Sequence, residues 1–145
     1  MTTSNDPGNK KMIDSILAHE GGFVNDPNDK GGATIFGISK VANPDAWKNG
    51  PPTEAEARAI YEKKYLINTH INLITHEGVK AQVLDFAVTS GPQCAIQYLQ
   101  RILGTTVDGV LGSQTLPLVN AANPHVLGNA LVAERVKMIC RVVVK

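Results

Sequence analysis

The stretch "HEGGFVNDPNDKGGATIFGIS", residues 19–39, joins the end of one apolar stripe to the start of another, and its reading decides the fold. Upstream of it, Met12, Ile13, Ile16 and Leu17 recur at helical spacing. At about 100 degrees per residue, Glu20 falls between Ile16 and Leu17 on that same face, and Gly21-Gly22 supplies a helix stop. An acid therefore ends the apolar stripe. The run Asn25-Asp26-Pro27-Asn28-Asp29-Lys30-Gly31-Gly32 signals turns. The alternation of Thr34, Phe36 and Ile38 then predicts a short, Gly-rich hairpin or strand.

Downstream the pattern is helical. Thr53-Glu54-Ala55-Glu56 reads as a capping box that opens a helix running to about Leu66, with Tyr61 and Tyr65 four apart on one face. A largely apolar helix runs from Gly78 to the Gly91-Pro92 stop, and Pro92 begins the next. The stretch "TTVDGVLGSQT" is a turn region leading to a short helix, and Pro124 opens the last one. The expected fold class is mainly α with one small β-hairpin near Glu20. Its organisation is expected to be a polar tail over 1–9, a lobe over 10–74 and a helical lobe over 75–145, packed as one compact domain.

A chain of 145 residues with 43% hydrophobic composition suits a single core. Fourteen Lys and Arg against 13 Asp and Glu leave a net charge of +1, too little to steer the chain toward nucleic acid or anionic lipid. Residues 1–11 have no apolar signal region, and no run approaches the ~18 apolar residues of a membrane span. Synthesis in the cytoplasm without membrane insertion is the expectation. Cys94 and Cys140 sit among apolar neighbours in no metal or redox spacing and read as buried free thiols.

Metal and nucleophile chemistry fit poorly. Asp26 to Gly31 starts like a calcium loop, but Lys30 stands at a ligand position and Gly37 where a bidentate Glu is required. His19-Glu20 and His76-Glu77 each begin a zinc motif that lacks its second His. No phosphate loop, no nucleophile elbow and no Cys-His pairing is present. Neither a metal nor a cofactor is expected.

What remains is carboxylate chemistry. Burial and the partial negative charge of a helix C-terminus both favour the protonated form of an acid at Glu20, as a general acid requires. Asp29, nine residues on and beyond a Gly-rich reversal, supplies a second carboxylate in a wetter setting, the division that glycoside hydrolysis uses. The plainer alternatives are a salt bridge or an outward-pointing side chain for Glu20, and turn chemistry for Asp26 and Asp29. Sugar rings stack on aromatic side chains, and Phe23, Phe36, Trp47, Tyr61 and Tyr65 all lie in the half holding Glu20. The plain reading of Phe36, Tyr61 and Phe86 is core.

The pattern H-E-G-G-F-x-x-x-P-x-D-x-G-G-x-T-x-x-G-I at 19–38 resembles the signature of glycoside hydrolase family 108, N-acetylmuramidases found among phage endolysins and bacterial secretion activators. Residues 82–115, with D-F-A-V-T-S-G-P and V-D-G-V-L-G-S-Q-T, are similar to the helical peptidoglycan-binding-like region of that family, so the resemblance covers about 10–140. It implies a lysozyme-like fold and cleavage of the β-1,4 bond between N-acetylmuramic acid and N-acetylglucosamine. Glu20 then corresponds to the catalytic acid and Asp29 to the base or stabiliser. By analogy with T-even phage lysozymes, Thr34 positions water. Phe36, Trp47, Tyr61 and Tyr65 are candidates for lining the glycan cleft. Two positions depart from the pattern: Phe36 stands where the family often has Tyr, and Leu66 where a Trp commonly follows Tyr65. The implied partner is a peptidoglycan glycan strand, met by a monomer that reaches the cell wall or periplasm through a holin-type pore or a transporter. The rival readings are a non-catalytic peptidoglycan-binding module of a secretion or lysis system, and a scaffold for a secretion machine.

Overall fold

The computed structural model describes residues 7–20, 22–25 and 32–144, with side chains described for all of these except residues 19, 20 and 142–144. The chain divides into two compact units, residues 3–63 and 64–145.

In the N-terminal unit α1 spans Pro7–Glu20 and so takes in the last three residues of the stretch read as polar tail. Proline suits a helix start because its missing N–H is one of the unpaired donors there. Ile13, Ile16 and Leu17 are buried at the expected spacing. Strands β1 (Thr34–Ile35) and β2 (Ile38–Ser39) form the expected hairpin, antiparallel with Thr34 opposite Ser39 and Ile35 opposite Ile38. Phe36 is not part of an alternating strand. It is the first of two turn residues, with φ of 52° at Phe36 and 76° at Gly37, the pair of positive values a tight hairpin turn demands. A 3-10 turn follows at Pro44–Trp47, and then α2 at Glu54–Tyr61. The capping box forms as expected: Thr53 Oγ1 accepts from the Glu56 N–H, and Glu56 Oε1 accepts from the Thr53 N–H. Helix α1 packs against α2.

The helix expected to reach Leu66 changes character at Glu62, where a π-helical segment runs to Ile67. A π turn closes its hydrogen bonds over five residues rather than four, which widens the turn. Hence Tyr61 and Leu66, five apart, are both buried, while Tyr65 is half-buried with the Lys64 ammonium 5.5 Å from its ring. The α-helix expected to carry both Tyr61 and Tyr65 ends at Tyr61, and the two side chains differ in burial.

In the C-terminal unit a 3-10 turn at Ile71–Leu73 precedes α3 (Glu77–Ser90), α4 (Pro92–Leu103), α5 (Thr115–Ala121) and α6 (Pro124–Val144). Helix α3 packs on α4 and α6, and Val83, Leu84, Phe86, Leu99 and Leu131 are buried. Burying each such side chain contributes about 1.5–3 kcal/mol. His76 is not half of a zinc motif but the cap of α3, its Nδ1 accepting from the Val79 N–H. Both cysteines are free, yet neither is fully buried: Cys94 is intermediate and Cys140 exposed. The apolar run around Cys140 overshoots the buried face of α6, since Val136 and Ile139 are exposed beside it.

The turn region between α4 and α5 is organised by one buried amide. Gln100 is fully buried; its Nε2 donates to Asp108 Oδ1 at 2.8 Å and to the Val110 carbonyl at 3.0 Å. Its Oε1 accepts from the N–H groups of Asp108 and Gly109. The Val110 N–H first, and then the Gln100 amide, hold the Asp108 carboxyl below the usual range, outweighing the opposing effect of desolvation.

Replacing Gln100 by Leu leaves the Asp108 and Gly109 donors unsatisfied and is expected to lower the unfolding free energy by about 2–4 kcal/mol, measured by urea titration. A folded-state pKa that is lowered gives stabilisation that is complete above the unfolded carboxyl pKa and is lost as pH falls through the folded one. The urea midpoint should fall across that acid window, and Asp108→Asn should remove the part of the fall that Asp108 carries.

Candidate active site

Helix α1 is continuous to Glu20, so the backbone register carries the stripe of Ile13, Ile16 and Leu17 on to residue 20. The Glu20 side chain and the whole of Asp29 lie outside the described residues. Four residues after Glu20 the chain is pinned. The Val24 N–H donates to the Thr34 carbonyl at 2.8 Å, and the Thr34 N–H donates back at 2.7 Å. Four extended residues reach at most roughly 14 Å, which bounds how far Val24, and with it the bridge to Thr34, can lie from Glu20. Asp29 falls in sequence between the two bridged residues.

The hairpin that carries Thr34 is held by aromatic donors. A bulky residue at positive φ is strained, by about 1–2 kcal/mol. Tyr61, 25 residues away on α2, donates its hydroxyl to the Phe36 carbonyl at 2.5 Å. The Trp47 indole donates to the Ile38 carbonyl at 3.2 Å, and its ring lies 6.2 Å from that of Phe23. Tyr61 and Trp47 are only 3% and 7% exposed. Their burial gives them the task of fixing hairpin backbone; Phe36 and Tyr65 are half-buried, and Tyr65 belongs to the C-terminal unit.

Three residues before Tyr61, Arg58 ties α2 to the other element of the site. Its Nη2 lies 2.5 Å from Asp14 Oδ1 on α1 and 3.5 Å from Glu54 on its own helix. These residues line a cleft of about 400 Å³ together with Leu17, Ala18 and Phe36. Arg58 Nη1 is buried with no hydrogen-bond partner among the described residues. Sequence reasoning missed this group. The Glu54-Arg58 spacing is an i,i+4 signal, but nothing local to α1 announces Asp14 as the partner. Among the described residues no group of three His, Cys, Asp or Glu side chains is arranged to hold a metal ion.

Residues 13–91 match the family model described as glycosyl hydrolase 108, a span that contains every candidate residue above. No curated protein matches the chain. Among solved structures it is similar to one described as "Structure of Brucella abortus SagA", at 32% identity and a TM-score of 0.74, over 90% of this chain and 79% of that one. The fold is lysozyme-like, mainly helical with one small antiparallel hairpin.

Tyr61→Phe keeps the buried ring and removes the hydroxyl, so it should destabilise the chain by about 1–2 kcal/mol in denaturant titrations. Phe36→Gly relieves the positive-φ strain and should recover part of that loss in the double variant. If Phe36→Gly instead adds its own full loss to that of Tyr61→Phe, the two residues are not coupled through the turn.

Proposed function

The chain belongs to the glycosyl hydrolase 108 family, and from that premise we propose that it hydrolyses peptidoglycan at the β-1,4 bond between N-acetylmuramic acid and N-acetylglucosamine. Glu20 protonates the departing glycosidic oxygen, Asp29 acts as base or electrostatic stabiliser, and Thr34 orients the attacking water. The observation that carries this reading is the pairing of Val24 with Thr34 just beyond the end of α1. It keeps Thr34 within a short span of the helix terminus that ends in Glu20. The two-residue turn and the Tyr61 and Trp47 donors hold the hairpin in that place, and a positioned residue is worth far more to a reaction than a mobile one. Phe36 suits a sugar by lining that cleft with an apolar ring for its face.

The chain works as a monomer without cofactor. Among the described residues no helix is long and apolar enough to cross a membrane. Synthesis in the cytoplasm followed by passage through a holin-type pore or a transporter brings it to the wall.

Glu20→Gln preserves shape but has no proton to transfer. Release of reducing ends from purified sacculi should drop about 100- to 10,000-fold, with binding to sacculi retained. Near-wild-type lysis by this variant would remove Glu20 from the mechanism. Mass spectrometry of the wild-type digest should show products ending in reducing N-acetylmuramic acid. Products ending in N-acetylglucosamine would overturn the bond assignment, and binding with no release at all would make the chain a glycan-binding module.

A further inference from the structure

The ion pair between α1 and α2 does little for stability. Arg58 Nη2 meets Asp14 Oδ1 at 2.5 Å, with the two side chains 29% and 48% exposed. A pair this open to water contributes little, because solvent screens the attraction and two long side chains give up freedom to form it. Against that small gain stands a cost. Arg58 Nη1 is buried and makes no hydrogen bond among the described residues, and a desolvated N–H without an acceptor opposes the folded state. Glu54, 3.5 Å from the same Nη2, lies on α2 itself and orients the guanidinium without joining two elements. Placement of α1 against α2 is the contribution left to the pair.

Its two ends sit on the elements that carry the proposed reaction. Asp14 lies six residues before Glu20 on the continuous helix α1, a rise of about 9 Å. Arg58 lies three residues before Tyr61 on α2, and the Tyr61 hydroxyl donates to the Phe36 carbonyl in the hairpin turn. Thr34, two residues before Phe36, is bonded through both its N–H and its carbonyl to Val24. The links close a ring: α1 to α2 through Asp14 and Arg58, α2 to the hairpin through Tyr61, and the hairpin back to the chain beyond α1 through Val24. The cleft of about 400 Å³ is lined from all three elements, by Asp14, Leu17 and Ala18 of α1, Phe36 of the hairpin, and Glu54 and Arg58 of α2. The covalent route from residue 20 to Val24 bounds only how far apart they lie. The route through α2 adds direction.

We infer that Arg58 is a positioning residue of the proposed hydrolysis: paired with Asp14, it holds α1 against α2 so that the helix end carrying Glu20 keeps its place relative to Thr34 on the hairpin. The part in hydrolysis rests on the proposed function; the mechanical link between α1 and the hairpin does not.

The test compares Arg58→Met and Asp14→Asn with Arg135→Met. Arg135 and Asp85, 2.9 Å apart in the C-terminal unit, are 26% and 57% exposed, so Arg135→Met reports what losing a comparable ion pair does away from the site. The substrate is a soluble, peptide-free glycan of alternating N-acetylmuramic acid and N-acetylglucosamine. Arg58→Met and Asp14→Asn should each lower kcat at least about tenfold, since a misplacement of about 1 Å can cost about 100-fold. KM should stay within about twofold, as expected for an interaction that serves the transition state alone. The double variant should lose no more than the worse single variant, because the two residues act as a unit. Arg135→Met should keep both constants. In parallel, hydrogen exchange at the Val24 and Thr34 amides, which donate in the bridge, should speed up at least about tenfold in Arg58→Met and not in Arg135→Met. Asp14 is half exposed, so Asp14→Asn carries both measurements if Arg58→Met does not fold. Unchanged kcat in the single variants, a loss that falls on KM, additive losses in the double variant, or unchanged exchange at those two amides overturns the inference and leaves the proposed function standing. If the wild-type chain releases no reducing ends, the proposed function fails, and the exchange measurement alone decides whether the pair holds the hairpin in place.

Discussion

The hydrogen bond from the Tyr61 hydroxyl to the Phe36 carbonyl is the constraint on which the N-terminal unit turns. A two-residue hairpin turn needs positive φ at both positions, and the chain offers glycine at only one of them. Something else must hold Phe36 in a conformation it disfavours. Tyr61 can do so because α2 is itself fixed at its start by the Thr53-Glu56 capping box and on its flank by Arg58 against Asp14. The energies of these polar contacts are modest: about 0.5–1.5 kcal/mol for a hydrogen bond and about 0–1 kcal/mol for a half-exposed ion pair. Most of the stabilisation comes from burying Ile13, Ile38, Trp47 and Tyr61. The polar contacts decide register instead. Slipping the hairpin by one residue would exchange the faces of Thr34 and Ile35 and break the bridge to Val24.

The C-terminal unit solves a like problem by a different route. Residues 104–114 have no regular structure of their own, and one buried side chain, Gln100, supplies both the donor and the acceptor that a piece of backbone would have supplied. The hairpin is held from outside by hydroxyl and indole groups at its carbonyls; this loop is held from inside by an amide. In each case a side chain on a helix satisfies main-chain groups of irregular backbone, which would otherwise be left without partners in a buried setting.

What the sequence revealed was local in origin. The capping box and Pro92 at the start of α4 both involve neighbours within a turn, and both are found where the spacing predicts them. The hairpin was legible as an element. Its turn was not, because the positive φ of Phe36 depends on a hydroxyl 25 positions away. The π segment was hidden because apolar spacing over Tyr61, Tyr65 and Leu66 fits four-residue and five-residue repeats alike. Cys140 misled for a related reason: apolar neighbours in a run cannot show which face of a long helix is covered. At the candidate site, the end of α1 at residue 20 was legible, whereas Arg58 and Asp14 meet only once α1 and α2 pack.

The two departures from the family pattern take on physical meaning in this setting. A Tyr at position 36 would add a hydroxyl to a side chain, but the contact that fixes the turn is made through the residue-36 carbonyl, which Phe supplies equally well. The hairpin therefore gives no reason to require Tyr there. Leu66 is fully buried at the point where the π segment turns it inward. A side chain with no exposed surface has no face to offer a sugar, and an indole at that position would have to displace core atoms or unwind the π turn to reach one. Leu66 therefore offers no stacking surface, which leaves residues with exposed surface, such as the half-buried Phe36.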